Sequence, residues 1–117
     1  MPEKITETLI EYGLSKRGAT QEYPFGPMPM VLKVYGRMFA LFSKGEPYWS
    51  VALKCDPEIA TNLREQNASI RPGYHLNKKH WISVTLDGSI TDAELFAMID
   101  HSYNLVLNKV PKSRRPF

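Results

Sequence analysis

Between Met30 and Lys54 three apolar runs follow one another with almost no chain to spare. Met30-Val31-Leu32-Lys33-Val34-Tyr35 and Arg37-Met38-Phe39-Ala40-Leu41-Phe42 meet at Tyr35-Gly36. Lys44-Gly45-Glu46-Pro47 then turns the chain into Tyr48-Trp49-Ser50-Val51-Ala52-Leu53-Lys54. A parallel crossover needs about a dozen residues or more, so strands joined this tightly pair antiparallel. Gly36 between β-formers is a hairpin signal. In the third run Trp49, Val51 and Leu53 alternate with Ser50, Ala52 and Lys54. One face of that strand is therefore apolar and the other small or polar.

The segments on either side supply helices to cover the apolar face. Residues 3–16 carry Ile5, Leu9, Tyr12 and Leu14 at helical spacing, with Glu3, Glu7 and Glu11 opposite, and Gly18 follows Lys16-Arg17 as a stop. Pro24-Phe25-Gly26-Pro27-Met28-Pro29 forbids helix; an ordered connection or a weak edge strand around residues 22–25 is expected. Asp56-Pro57-Glu58 reads as N-cap, first helical position and first-turn acid of a helix to about residue 67, with Ile59, Ala60 and Leu63 inward. A strand opens at Trp81, and Leu86-Asp87-Gly88-Ser89 is a turn. Thr91-Asp92-Ala93-Glu94 is a capping box, and the helix it starts carries Leu95, Met98, Ile99, Tyr103, Val106 and Leu107 on its apolar side, ending before Pro111. The order α-β-β-β-α-β-α has no βαβ alternation. It describes an α+β two-layer domain, an antiparallel β-sheet with helices packed on one face and the opposite face left to solvent or a partner.

At 117 residues the chain is expected to be one domain, 1–117, with residues from about 109 onward a basic tail. Its 43% apolar and 23% charged content is globular. One cysteine, Cys55, leaves no internal disulfide and fits a reducing compartment. No apolar run approaches about 18 residues, so no membrane span is expected. Met1-Pro2-Glu3-Lys4 does not begin a signal peptide, and a cytoplasmic location follows as the expectation. The formal charge of +3 is unevenly placed. Residues 1–68 balance eight cations with eight anions, whereas residues 69–117 set seven cations against four anions. That is a mild bias toward anionic partners.

Much of this excess lies in and around Arg71-Pro72-Gly73-Tyr74-His75-Leu76-Asn77-Lys78-Lys79-His80-Trp81. Pro72-Gly73 reads as a turn that throws the following residues into an exposed connection. Three readings of the loop stand side by side. In the first, Tyr74 and Trp81 anchor it on the core while His75, Asn77 and His80 bond nearby backbone. In the second, Arg71, Lys78 and Lys79 supply cations, and the rings stacking faces, for a ligand or polyanion. The third is chemistry or metal binding. His75 and His80 are poorly spaced for one metal, and neither Cys-x-x-Cys nor His-Glu-x-x-His occurs. His75 with Tyr74 and Asn77 has no acidic orienter within the loop. The glycines form no phosphate loop. Cys55, just before a helix start, reads as a buried small side chain ahead of a reactive thiol. No catalytic residue, metal or cofactor is expected, and the chain is read as a non-enzyme.

Several of these stretches together resemble the MmcQ/YjbR family of small bacterial proteins. They are Pro24-Phe25-Gly26, Leu32 through Leu41, Leu53-Lys54-Cys55-Asp56-Pro57-Glu58, the loop Arg71 through Trp81, Leu86-Asp87-Gly88-Ser89, and Asp100-His101-Ser102-Tyr103-Asn104-Leu105-Val106 with Pro111-Lys112. The likeness spans roughly residues 9–115. It implies a fold grouped with type III secretion chaperones, described as CyaY-like or "double wing", and a DNA-binding label that rests on fold analogy. It brings no catalytic residues with it. Met28-Pro29 stands where a polar or acidic residue is expected, which makes that loop greasier. The leading expectation is a binding domain that contacts nucleic acid, weakly and with salt sensitivity, through Arg71, Tyr74, His75, Asn77, Lys78, Lys79, His80, Trp81, Arg114 and Arg115. The alternative is a protein-interaction module using the exposed sheet face or the Met28–Met30 loop.

Overall fold

Strands β2 (Met30–Val34) and β3 (Arg37–Ser43) are joined by Tyr35 and Gly36 alone, with Val34 opposite Arg37. Both turn residues have positive φ, 47° and 81°, the conformation whose twist matches that of a two-residue hairpin. The computed structural model describes residues 2–73 and 76–115. Its remaining elements are α1 (Pro2–Leu14), β1 (Ala19–Glu22), β4 (Ser50–Lys54), α2 (Pro57–Gln66), β5 (Ile70–Pro72), β6 (Trp81–Thr85), α3 (Asp92–Leu107) and a 3-10 helix, Lys112–Arg114. The six strands form one antiparallel sheet in the order β1-β2-β3-β4-β6-β5.

The α+β two-layer architecture is the one read from the residues, with two short strands added at the edges. β1 is polar and largely exposed, so no alternation marks it. It pairs with β2 from Ala19–Val34 to Glu22–Val31, slightly ahead of the expected weak strand at 22–25. β5 contains Pro72, which an edge strand tolerates because no ladder hydrogen bond is needed on its outer side. The Pro72-Gly73 pair is therefore not the turn expected of it. Pro72 pairs with Ile82, and the Gly73 amide donates to the Trp81 carbonyl at 3.0 Å, extending the β5–β6 ladder by one bond.

The core lies between the sheet and the helices. Phe42, Val51 and Val84 form one row across β3, β4 and β6, and Ala40, Leu53 and Ile82 form the next; all are buried. Leu9 of α1 and Leu95, Ile99, Tyr103 and Val106 of α3 belong to the same buried cluster. Each fully buried side chain of this kind contributes about 1.5–3 kcal/mol. Asp56 caps as read, accepting from the Glu58 and Ile59 amides. Thr91 accepts from the Glu94 amide, but among the described residues the Glu94 carboxylate does not return a bond to the Thr91 amide, so only half of the capping box forms. Within α2 the inward set shrinks. Ala60 is buried and Leu63 half-buried, but Ile59 is 44% exposed. This short helix lies beside the β5–β6 edge of the sheet and turns only a narrow stripe toward the core.

The hydroxyl of Ser102 is fully buried and bridges two strands. It donates to the Phe39 carbonyl at 2.6 Å and accepts from the Lys54 amide at 2.9 Å. These groups lie one step beyond Ala40 and Leu53, the last paired residues of β3 and β4. At this end β4 continues its pairing with β6, Lys54 opposite Trp81, while β3 bulges between Ala40 and Met38. Among the described residues no helix is long and apolar enough to cross a membrane.

Candidate functional site

The loop singled out from sequence closes the β5–β6 hairpin. Its neck is tight. A Cβ on Gly73, which is buried, would stand 2.7 Å from Trp81 Cβ and 3.3 Å from its backbone. Only glycine allows β5 this close to the start of β6. Asn77 organises the described part of the loop: its side-chain oxygen accepts from the Lys79 amide at 2.9 Å, and its carbonyl from the His80 and Trp81 amides at 3.1 and 2.9 Å. A side chain occupied in this way ties its own loop, the commonest role of Asn in turns. The His80 carbonyl accepts from the Cys55 amide at 2.8 Å, which anchors the loop to the start of α2.

This scaffold leaves the cations outward. Lys78 and Lys79 are exposed, and among the described residues neither has a carboxylate within ion-pair distance. Arg71 is exposed and donates to the Thr85 hydroxyl at 3.2 Å. His80 and Trp81 are half-buried. Tyr74 and His75 lie outside the described residues. Arg114 is exposed in the 3-10 helix, and Arg115 is half-buried with its Nε out of solvent. The chain reaches them by way of Val110, which is buried.

Strand register puts Arg71 on the sheet face turned away from the helices. Val31, Leu41, Ala52, Ser83 and Arg71 make one row across β2, β3, β4, β6 and β5. This face is only partly open, since Val31 and Leu41 are buried. Leu41, Ala52 and Ser83 line a groove of about 400 Å³ together with Phe25 and Pro29 of the Pro-rich segment and Leu76 of the hairpin loop. The Pro-rich segment presents Tyr23, Phe25 and Met28 to solvent at 52%, 61% and 41% exposure. Met30 does not join them. It begins β2 and is 3% exposed, so the proposed Met28–Met30 contact surface reduces to Met28 and its aromatic neighbours.

Cys55 is buried, and burial, followed by the Asp56 carboxylate, pushes its thiol up to about 11. The helix start beside it does not make it a thiolate. Among the described residues no cluster of three His, Cys, Asp or Glu side chains is arranged to hold a metal ion.

Sequence reading missed the cations gathered around Trp81, the first residue of β6. Lys54 faces Trp81 across β4 and β6. A cleft of about 290 Å³ is lined by Arg37, Met38, Lys54, Trp81 and Lys109. The signal was present only as separate basic residues in three distant stretches.

A family model described as YjbR matches residues 14–105. The protein named YjbR in Escherichia coli K12 is 37% identical over 107 residues, covering 92% of this chain and 91% of its own. YbdF of Escherichia coli O157:H7 is 42% identical over 92 residues, covering 77% and 74%. Both names carry the word uncharacterized. The crystal structure of a Deinococcus radiodurans protein superimposes with a TM-score of 0.87 at 37% identity, over 94% of this chain and 84% of that one.

Proposed function

Because the chain belongs to the YjbR family, whose matched names give no activity, its role is read from its own surface, and we propose a noncatalytic domain that binds nucleic acid through the β5–β6 hairpin loop. The observation that carries this reading is the exposure of Lys78 and Lys79, with no carboxylate partner among the described residues, beside Arg71 and the half-buried Trp81 ring. Lysine ammonium groups on a loop neutralise phosphates without reading bases, so binding of this kind is salt-sensitive and largely sequence-independent. A ring with one accessible face adds stacking to an unpaired base.

With Arg71, Lys78 and Lys79 as the phosphate contacts, affinity falls with salt at a log–log slope of about −2 to −3. Between 50 and 200 mM salt that is a loss of roughly 15- to 60-fold. Fluorescence anisotropy against mixed-sequence single-stranded and duplex oligonucleotides reads this directly. A Lys78→Glu/Lys79→Glu variant should bind much more weakly. Absence of binding by the parent protein at low salt overturns the reading.

A second reading, a protein-interaction module, has the exposed Tyr23, Phe25 and Met28 beside the open sheet face in its favour. Association through that surface is apolar, persists at high salt, and responds to Met28→Ser while ignoring the lysine reversals.

A further inference from the structure

At the end of the sheet where β3 begins, β4 and α3 end, and β6 begins, three cationic side chains are brought to one cleft. Arg37 and Met38 come from the first residues of β3, Lys54 from the last residue of β4, Trp81 from the first of β6, and Lys109 from just beyond α3. Lys54 and Lys109 line the same cleft, and the Lys109 charge bears on the Lys54 amine. Among the described residues no acidic side chain lines the cleft and no carboxylate pairs with Arg37, Lys54 or Lys109.

Like charges drawn together without a counter-charge destabilise a folded chain, and surface lysines ordinarily turn apart to avoid it. Here the backbone opposes that escape. Lys54 is half-buried, and its amide is pinned by Ser102, which also holds the neighbouring Phe39 carbonyl. Its register partner is Trp81. Burial first, then the charges of Lys109 and Arg37, pull Lys54 below the ordinary lysine value. The end of α3 contributes the equivalent of about half a negative charge, too little to balance three cations. The cleft, about 290 Å³, has room for a phosphoryl group and part of what bears it.

We propose that this cleft is a binding site for a phosphoryl dianion, held by Arg37, Lys54 and Lys109 against the Trp81 ring. The guanidinium supplies a planar fork for two oxygens and the lysines supply point charges. The site does not depend on the hairpin lysines, and goes beyond the loop reading by specifying a terminal or free phosphate rather than a phosphodiester backbone. Its sources are inorganic phosphate and a nucleoside monophosphate, whose base would lie against Trp81.

The test is thermal melting and isothermal titration of the full chain with inorganic phosphate, at constant ionic strength set by chloride. Arg37→Gln and Lys109→Gln alter exposed side chains and should leave the fold intact. The proposal requires phosphate to raise the parent's Tm by a few degrees, as a ligand that binds only the folded state does. It requires each variant to weaken phosphate at least about tenfold. Lys109→Gln should also raise the phosphate-free Tm, because the repulsion is relieved. Adenosine monophosphate binding more tightly than phosphate, with quenching of Trp81 in a Trp49→Phe background, assigns the nucleotide as the source; equal affinity assigns phosphate itself. Retention of the phosphate effect in Lys78→Glu/Lys79→Glu separates this site from the loop. No Tm response to phosphate in the parent, or an equal response in parent and both variants, overturns it.

Discussion

The Ser102 hydroxyl accepts a 2.9 Å hydrogen bond from the Lys54 amide across 48 residues of sequence and passes its own proton toward the Phe39 carbonyl. One small side chain of α3 thus takes the place of a ladder bond between β3 and β4. It also locates both sides of the cationic cleft, since Lys54 and the start of β3 are held by the same atom.

Ser102→Ala removes that atom and leaves a donor and an acceptor without their partner in the core. A buried unpaired group costs about 1–3 kcal/mol. A loss of about 2–3 kcal/mol in urea unfolding at pH 7 is expected, with the slope against urea unchanged. A loss under about 0.5 kcal/mol, the range of ordinary surface substitutions, would mean that water replaces the hydroxyl.

Gly73→Ala forces a methyl group to within 2.7 Å of Trp81 Cβ, with backbone also too close at 3.3 Å. The hairpin neck must widen, at about 1–3 kcal/mol. The fluorescence of Trp81, read in a Trp49→Phe background, should shift toward that of an exposed ring. Oligonucleotide affinity should fall as well, though no cation has been removed, because the loop's position depends on this neck.

Cys55 gives a pH signature. Its thiol is raised to about 11 in the folded state by burial, against an ordinary 9.0. The folded state therefore holds the proton more tightly than the unfolded one. The associated stability is fully present below pH 9 and is lost as pH rises through about 11. Native protein at pH 8 should resist alkylation by iodoacetamide, and labelling should track unfolding by urea. Fast labelling of the folded chain would contradict the buried placement.

Asp100 links α1 to α3 by accepting from the Tyr12 hydroxyl at 2.7 Å and pairing with Lys16. Burial pulls Lys16 down, but the hydrogen bonds and charges of Asp100 and Tyr12 outweigh it and leave Lys16 above its ordinary 10.5. That contribution is present below pH 10.5 and fades as pH climbs past the raised value. Both side chains keep some solvent access, so Asp100→Asn should lose only about 0.5–1 kcal/mol at pH 7, and less in high salt.

Some of the site was legible in the residues and some was not. The exposure of Lys78 and Lys79 follows from their place in a polar connection. The role of Asn77 was open, because an Asn side chain can meet a ligand or its own backbone with the same atoms; loop closure decided for the backbone. Pro72-Gly73 was misread as a turn because that dipeptide serves turns and glycine-requiring close approaches alike, and only the distance to Trp81 separates them. Met30 looked like part of a greasy loop beside Met28, yet one residue of register carries it into the core. β5 escaped notice, and β1 was expected only as a weak edge strand a few residues further on, because edge strands this short and polar have no periodicity to show.

What the residues determined by themselves were the choices made within a few positions of chain: the Tyr35-Gly36 hairpin, the Asp56 and Thr91 caps, the antiparallel meander and the apolar faces. Those depend on φ preferences, on side chains reaching amides two or three residues away, and on alternation along one strand. Only the tertiary structure decided that Arg37, Lys54, Trp81 and Lys109 share a cleft and that Ser102 stands between two strands. Such meetings depend on strand register and on the seating of α3 against the sheet. Both are set by the packing of the whole core, and no local window of sequence carries them.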